Sequence, residues 1–140
     1  MSNSFRDLEI YKESFRLYFE VQVLSKMLPK HETYELGSQL RRSADSIVTN
    51  IVEGYGRRNY KPEFERFLTF SHSSINETIC HLEKVNMLYP IHDELTSKLI
   101  KEYDLLARKV YRFMKFVEEK WMTPKKKQKT QNSYPKTHIS

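Results

Sequence analysis

Residues 62–89 read PEFERFLTFSHSSINETICHLEKVNMLY and carry the most regular apolar pattern of the chain. Alternating spacings of four and three residues separate its apolar and small positions, which is typical of a helix in a bundle or coiled coil. Pro62 falls in the first turn of this helix, where proline removes no helical hydrogen bond. The predicted core positions are Phe64, Leu68, Ser71, Ile75, Thr78, Leu82, Val85 and Tyr89.

Prolines divide the chain into four segments, each long enough for one helix. They are Pro29, Pro62, Pro90 and Pro124, and the predicted helices cover residues 5–28, 33–57, 62–89 and 93–121. Because the connections are short, we predict an all-α, up-down-up-down four-helix bundle over residues 1–122, followed by a tail at 123–140. Helical spacing adds these core positions: Ile10, Leu17, Val21, Leu24, Leu28, Leu36, Leu40, Ala44, Ile47, Ile51, Leu95, Leu99, Leu106, Val110, Phe113 and Val117.

The first predicted helix has two apolar stripes, although a four-helix core requires only one. One stripe, which contains Leu17 and Val21, is assigned to the core. The other lies roughly 100° away around the helix. Because large aromatic patches are seldom left in water, we predict that it forms an oligomer interface. The alternative is one wide core face whose tyrosines extend to the solvent. The second stripe consists of Leu8, Tyr11, Phe15 and Tyr18.

The net charge of +6 is concentrated in residues 123–140, which read TPKKKQKTQNSYPKTHIS. They contain five lysines and no acidic residue, so the other 19 basic residues nearly balance the 18 acidic ones. A polar segment without helical periodicity is typical of disorder. Such lysines can bind nucleic-acid phosphates without sequence preference, and the candidates are Lys125, Lys126, Lys127 and Lys129. The alternative is a tail that only keeps the protein soluble.

Other basic residues gather around the second predicted helix and its exit. In one copy of the chain they form a modest patch, because acidic residues such as Glu53 and Glu63 lie between them. Repeated around an oligomer, they would form a basic surface able to bind the backbone of RNA or DNA. The alternative is an ordinary solvated face with local ion pairs. The candidates are Arg41, Arg42, Arg57, Arg58, Lys61 and Arg66.

Polar residues line the second predicted helix beside its core positions. Since buried polar groups need hydrogen-bond partners, we interpret this stripe as a structural network with Ser71, Ser74 or Thr78 of the third helix. A polar pocket or a subunit contact is the functional alternative. The stripe consists of Gln39, Ser43, Ser46, Asn50 and Glu53.

Gly54 and Gly56 enclose Tyr55 in a pattern similar to the start of a dinucleotide-binding loop. That loop requires a preceding strand and a third glycine that opens a helix. Here a helix precedes the glycines, and Asn59 stands near the third position. We predict instead that the glycines end the second helix, with glycine in the left-handed backbone conformation.

No metal, cofactor or catalytic site is expected from the remaining residues. The histidines lack the repeated Glu-x-x-His pattern of metal-binding bundles. One enzymatic alternative rests on Arg66 and His72, which resemble the motif of helical HEPN-type ribonucleases. In those enzymes, such a pair acts on the RNA phosphate and the ribose hydroxyl.

The sequence favours a cytoplasmic protein that is not embedded in a membrane. No apolar run approaches the length of a transmembrane helix. The N-terminal residues MSNSFRDLEIYKESF are charged where a signal peptide is apolar. The single cysteine, Cys80, cannot form an internal disulfide.

The chain from about Phe5 to the fourth predicted helix, most densely from Pro29 to Leu68, resembles the bacterial four-helix-bundle proteins encoded by intervening sequences in 23S rRNA genes. The accessory variability proteins of diversity-generating retroelements are similar. The matching residues are Pro29, Glu32, Leu36, Gln39 to Ala44, Ser46, Ile47, Asn50, Ile51, Glu53, Gly54, Gly56, Arg57, Glu63, Phe64, Arg66, Phe67 and Leu68. After Leu68 the sequence departs from the family, since Ser71-His72-Ser73-Ser74 replaces the usual Ala-x-Gly-Ser element.

The resemblance implies a bundle that assembles into a pentameric barrel. In the retroelement branch, it also implies nucleic-acid binding and association with a reverse transcriptase. We therefore predict a non-enzymatic, self-assembling homo-oligomer that binds RNA or DNA, with an RNA-associated protein or a reverse transcriptase as a further partner. The first alternative is a protein-interaction scaffold without nucleic-acid function. The second is the ribonuclease described above.

Overall fold

The computed structural model of the chain describes residues 4–123, and its fold consists of four α-helices. They are α1 (Glu9–Met27), α2 (Leu36–Gly56), α3 (Lys61–Leu88) and α4 (Asp93–Lys120). Short 3₁₀ helices at Phe5–Asp7, Lys30–Tyr34 and Pro90–His92 precede α1, α2 and α4. The described residues contain no strand, so the prediction of an all-α fold with four helices is confirmed.

Hydrogen bonds between α2 and α3 show that these helices run antiparallel. Ser71 of α3 donates to the backbone carbonyl of Ile47 in α2 at 2.9 Å. Farther along α3, the Thr78 hydroxyl donates to the Ser43 hydroxyl at 2.8 Å. Later residues of α3 thus meet earlier residues of α2. Both helices place small polar side chains where they face each other, so their surfaces are in direct contact.

Ion pairs fix α4 against α1 in the same antiparallel sense. Glu9 of α1 pairs with Lys109 at 2.8 Å, and Arg16, two turns later, pairs with Glu102 at 2.7 Å. The hydrogen bond to Glu102 is the largest of the effects that raise the pKa of Arg16. The four helices therefore form the up-down-up-down arrangement that the short connections predict.

The core of the bundle coincides closely with the predicted apolar stripes. Every predicted core residue of the first and second helices is buried. In α3 the predicted residues from Phe64 to Val85 are buried, whereas Tyr89 is only partly so. In α4, Leu95 and Phe113 pack at the edge of the core rather than inside it. Tyr89 and Leu95 lie near helix ends, and Phe113 packs against Phe64 at the edge of the core.

The first two helices begin later than predicted. Leu8 has an extended backbone between the Phe5–Asp7 turn and α1. The Ser4 hydroxyl accepts a hydrogen bond from the Arg6 amide at 3.1 Å and so caps this separate turn. Glu35 likewise has non-helical torsion angles and separates Lys30–Tyr34 from α2. Local capping thus divides what the sequence pattern presents as continuous helix.

The prediction that left-handed glycines end the second helix is wrong. No described residue has a positive φ, and α2 continues through Gly56 to an Arg57 cap at φ −108° and ψ 19°. Gly54 is buried, and a Cβ built there would lie 3.1 Å from Cβ of Phe67. This glycine therefore permits close packing of α2 on α3.

A buried carboxylate joins the two loops at the end of the bundle opposite the α2–α3 turn. The Glu32 side chain accepts hydrogen bonds from the Tyr89 hydroxyl at 2.5 Å and from the Leu36 amide at 3.2 Å. The bond from Tyr89 is the main cause that lowers the pKa of Glu32, although burial acts in the opposite direction. We call this end, formed by residues 28–35 and 88–93, the loop end.

The three glycines allow a matched test of helix packing. A Cβ at Gly37 would lie 2.6 Å from the carbonyl oxygen of Glu32, whereas one at Gly56 would meet nothing within 4 Å. We predict that Gly37→Ala lowers the free energy of unfolding by about 1–3 kcal/mol, because backbone must shift. Gly56→Ala should leave it unchanged or raise it by up to about 1 kcal/mol. Urea unfolding measures both, and equal effects would contradict the packing described.

A second prediction concerns Tyr103, which is fully buried in α4 with no hydrogen-bond partner for its hydroxyl among residues 4–123. Burial raises the pKa of this phenol, so it stays protonated. Tyr103→Phe should leave the free energy of unfolding unchanged or raise it by about 1 kcal/mol, because it removes a buried unpaired polar group. Tyr103→Ala, the control, should lower it by about 3 kcal/mol or more. Equal losses in both variants would show that the hydroxyl has a partner.

Candidate nucleic-acid interface

The α2–α3 turn and the C-terminus of α4 meet at one end of the bundle. The Trp121 indole donates to the carbonyl oxygen of Arg58 at 2.9 Å. The Lys61 ammonium donates to the carbonyl oxygen of Glu118 at 2.7 Å, which satisfies one of the last carbonyls of α4. We call this end, formed by residues 53–66 and 115–123, the turn end. The chain leaves its described part here, beside the basic turn.

Two arginines of the turn end share one carboxylate and one aromatic ring. Arg57 lies 3.5 Å from Glu63 and 3.4 Å from Glu53, and Arg66 lies 3.2 Å from Glu63. Both guanidinium groups sit over the Phe67 ring, at 4.9 and 5.6 Å from its centroid. The acidic partners offset part of the positive charge. Because these pairs are exposed, they are weak and can exchange for other anions.

Arg58, the third arginine of the turn end, lies against Tyr55. Its guanidinium lies 4.2 Å from the centroid of the Tyr55 ring and donates to the Tyr55 carbonyl at 2.9 Å. A surface groove of about 510 Å³ runs past it. The groove is lined by Phe5, Val52, Glu53, Tyr55, Gly56, Arg57 and Arg58. It combines aromatic and cationic groups, which are the groups that bind bases and phosphates in single strands.

The outer side of α1 exposes a row of apolar side chains one turn apart. Phe15, Phe19, Val23 and Met27 are each 44–58% exposed. The ring centroids of Phe15 and Phe19 are 5.1 Å apart, and that of Tyr11 is 5.4 Å from Phe15. We call these four exposed residues the α1 face. It is a continuous apolar surface on a helix whose other side is already in the core.

A family model described as 23S rRNA-intervening sequence protein matches residues 6–112. The chain belongs to this family. The match begins before α1 and ends within α4, so it covers most of the bundle. A comparison with curated proteins finds no match. The resemblance drawn from residues 29–68 is thereby confirmed at the level of the family.

Of the four residues predicted to form an oligomer interface, only one lies on the α1 face. Phe15 belongs to the face, but Leu8, Tyr11 and Tyr18 are partly buried against the core. Phe19, Val23 and Met27 were not predicted. Their spacing of four residues after Phe15 is the signal that could have identified them, since such residues share one side of a helix.

The six predicted basic residues of the bundle also divide into two groups. Arg57, Arg58, Lys61 and Arg66 lie at the turn end, whereas Arg41 and Arg42 lie in the half of α2 nearer the loop end. Arg41 donates to the Ser25 hydroxyl at 2.5 Å and to the Thr33 carbonyl at 2.7 Å, so it joins α1, α2 and their connection. Arg42 is exposed. The candidates Lys125, Lys126, Lys127 and Lys129 lie outside the described residues.

The polar stripe of α2 contributes to the contact with α3 through only part of its length. The Ser46 and Ser74 hydroxyls are 2.8 Å apart, and the Asn50 amide donates to the Ser46 carbonyl at 2.8 Å. Ser43 bonds with Thr78, as described above. Gln39 and Glu53 are exposed and lie outside this network. They occupy the outer edge of the stripe, where Glu53 pairs with Arg57 instead.

The structure does not bring Arg66 and His72 into one site. Arg66 extends over Phe67 and Phe70 and pairs with Glu63. The His72 ring instead lies 6.4 Å from that of Tyr111 in α4. Six residues along a helix correspond to a rotation of roughly 120°, which directs the two side chains to different sides of α3.

Metal-binding and membrane-spanning features are absent from residues 4–123. Three or more His, Cys, Asp or Glu side chains nowhere come together there as a potential metal site. None of the helices in this part of the chain is both long and apolar enough to cross a membrane.

Proposed function

We propose that this protein is a non-enzymatic, self-assembling bundle of the cytoplasm that binds the backbone of RNA or DNA through basic residues repeated around an oligomer. The observation that carries the proposal is the α1 face. The helix already supplies a full stripe to the core through residues such as Leu17 and Val21, so its second apolar side is free for another subunit. Basic side chains of the turn end would then recur in every copy.

The α1 face favours assembly because of the area that it would remove from water. Full burial of one side chain the size of Phe stabilises an assembly by about 1.5–3 kcal/mol. The α1 face offers four large apolar residues. If the face of one copy contacts a different surface of the next, repetition can close into a ring. The family resemblance implies five subunits, and we adopt a homopentamer as the proposed assembly.

The turn end supports nucleic-acid binding through its chemistry. Arg57, Arg58 and Arg66 offer planar guanidinium groups that suit phosphate. The carboxylate partners of Arg57 and Arg66 are exposed, and phosphate can replace them at small cost. The described part of the chain ends at residue 123, close after Trp121, at the same end. A ring of copies would therefore concentrate positive charge on one rim, where an RNA-associated protein or a reverse transcriptase could share the bound strand.

Assembly through the α1 face predicts that a charged side chain placed on this face dissociates the oligomer. Phe19→Glu should convert the oligomer to monomers, because a carboxylate would be buried against a neighbouring subunit. Leu105→Glu on α4 is the matched control, since Leu105 is 53% exposed and Phe19 is 51% exposed. Size-exclusion chromatography with light scattering gives the masses. A monomeric wild-type protein at micromolar concentration, or dissociation by Leu105→Glu alone, would contradict this arrangement.

If nucleic acid binds at the turn end, removal of a carboxylate that competes with the phosphates should raise the affinity. Glu63→Gln releases Arg57 and Arg66, so it should tighten binding of labelled single-stranded RNA or DNA more than Glu83→Gln does. Glu83 is exposed on the same helix, and its substitution gives the same change of net charge. Fluorescence anisotropy over a salt series measures both affinities, and the slope against log salt should steepen by about 0.7 for each additional phosphate that the protein neutralises.

Several outcomes of that series separate the alternatives. Equal affinities of the two variants would remove the turn end from the interface. If the wild-type protein binds no nucleic acid at low salt, the proposal fails. RNA cleavage that disappears in His72→Ala would favour the ribonuclease instead.

The loop end favours a protein-interaction scaffold as the second candidate. Tyr34, Leu88 and Ile91 are 60–88% exposed there. Apolar side chains concentrated in this way are common at protein-binding surfaces. An oligomer that binds no nucleic acid at low salt would support this candidate.

A further inference from the structure

A second basic surface lies on the side of the bundle formed by α3 and α4, away from the α2–α3 turn. A shallow groove of about 330 Å³ runs between these helices. It is lined by His72, Ala107, Arg108, Tyr111 and Arg112. None of these residues belongs to the sites described above, apart from His72. The groove thus combines two guanidinium groups, an imidazole and a phenol ring on one face.

The two arginines of this groove differ from the arginines of the turn end. Among residues 4–123, no ion pair or hydrogen bond engages either the Arg108 or the Arg112 guanidinium. Asp104 precedes Arg108 by one turn but forms no ion pair with it. Arg112 contributes only a weak attraction to Glu9, whose main partner is Lys109. Both charges are therefore available to an external anion without loss of an internal partner.

The spacing of these arginines suits a chain of phosphates. Residues four apart lie on the same side of a helix and are separated by about 6 Å along its axis. Arg108 and Arg112 can therefore contact successive phosphates of an extended strand. Guanidinium groups remain charged at all physiological pH values and bind phosphate in a bidentate manner.

Tyr111 adds a group that phosphate binding alone does not require. It lines the same groove as the two arginines and is 53% exposed. Its ring centroid lies 6.4 Å from that of His72, with 57° between the ring planes. Lys115 lies 6.0 Å from the same ring. An exposed ring beside cationic groups is the arrangement on which unpaired bases stack.

We propose that the groove between α3 and α4 binds single-stranded nucleic acid, with phosphates on Arg108 and Arg112 and a base stacked on Tyr111. The inference rests on the proposed function and names a surface and a ligand class for it. A single strand is favoured over a duplex because the bases of a duplex are already stacked on one another. RNA and DNA share this chemistry, so both serve as probes.

The test uses the full chain and labelled oligouridylate, oligodeoxythymidylate and a duplex of equal length, with anisotropy as the readout. Arg108→Ala combined with Arg112→Ala should weaken single-strand binding roughly tenfold or more. The slope of log affinity against log salt should become shallower by about 1.4, as expected when two phosphates are no longer neutralised. The control combines Lys12→Ala and Lys84→Ala, which remove two exposed positive charges elsewhere. It should change both quantities less.

The ring is tested separately from the charges. Tyr111→Ala should weaken single-strand binding by roughly 5- to 150-fold, whereas Tyr111→Phe should retain it, because stacking requires the ring and not the hydroxyl. Thermal unfolding verifies that each variant remains folded. Binding of either RNA or DNA with these losses supports the proposal, and the tighter of the two identifies the preferred strand.

The failure of this inference is distinguishable from failure of the proposed function. If the wild-type protein binds single strands and the double arginine variant behaves like the lysine control, the groove is not the site, while the proposed function stands. Duplex binding that is stronger than single-strand binding and insensitive to Tyr111→Ala also overturns the inference alone. Absence of any binding at low salt overturns both.

Discussion

The close approach of α2 and α3 is the constraint on which the rest of the structure depends. A side-chain hydroxyl of α3, that of Ser71, reaches a backbone carbonyl in the middle of α2. Such a bond requires the two helix surfaces to touch. Small residues make this possible, because Gly54 leaves space for Phe67 and because serines occupy facing positions such as 46 and 74. The bonds fix the register of both helices, since a shift of either helix would leave these buried hydroxyls without their partners.

The apolar period predicts most of the buried residues, because burial of a helix depends on its own repeating side chains. It misses Val48, Tyr55 and Tyr103, which are also buried. The glycine prediction failed for a different reason. Gly54 packs against Phe67 of α3, and the sequence pattern alone does not show that these two residues meet in the fold. The Glu32–Tyr89 bond could not be predicted either, since it joins loops that meet only once the bundle has formed.

In the candidate sites too, some features can be predicted from the sequence and others depend on the folded structure. Charge alone indicated Arg41 and Arg57 equally, yet Arg41 is held by Ser25 and Thr33 while Arg57 is exposed among weak pairs. Composition also gave no reason to separate Arg108 and Arg112 from the other basic residues of α4. Within the described part of the chain neither forms an ion pair, unlike Lys98, Lys109 and Lys115 of the same helix, and that depends on which carboxylates the fold brings near.

The two proposed surfaces also constrain each other. An α1 face that contacts a different surface of the next copy needs an apolar acceptor, because burial of an unpaired charge is costly. The groove between α3 and α4 is a poor acceptor, since its burial would remove the unpaired Arg108 and Arg112 from water. An apolar surface elsewhere on the bundle is better suited, because its burial removes no unpaired charge from water. An assembly of this kind would leave the groove open in every subunit, so that self-association and single-strand binding are compatible.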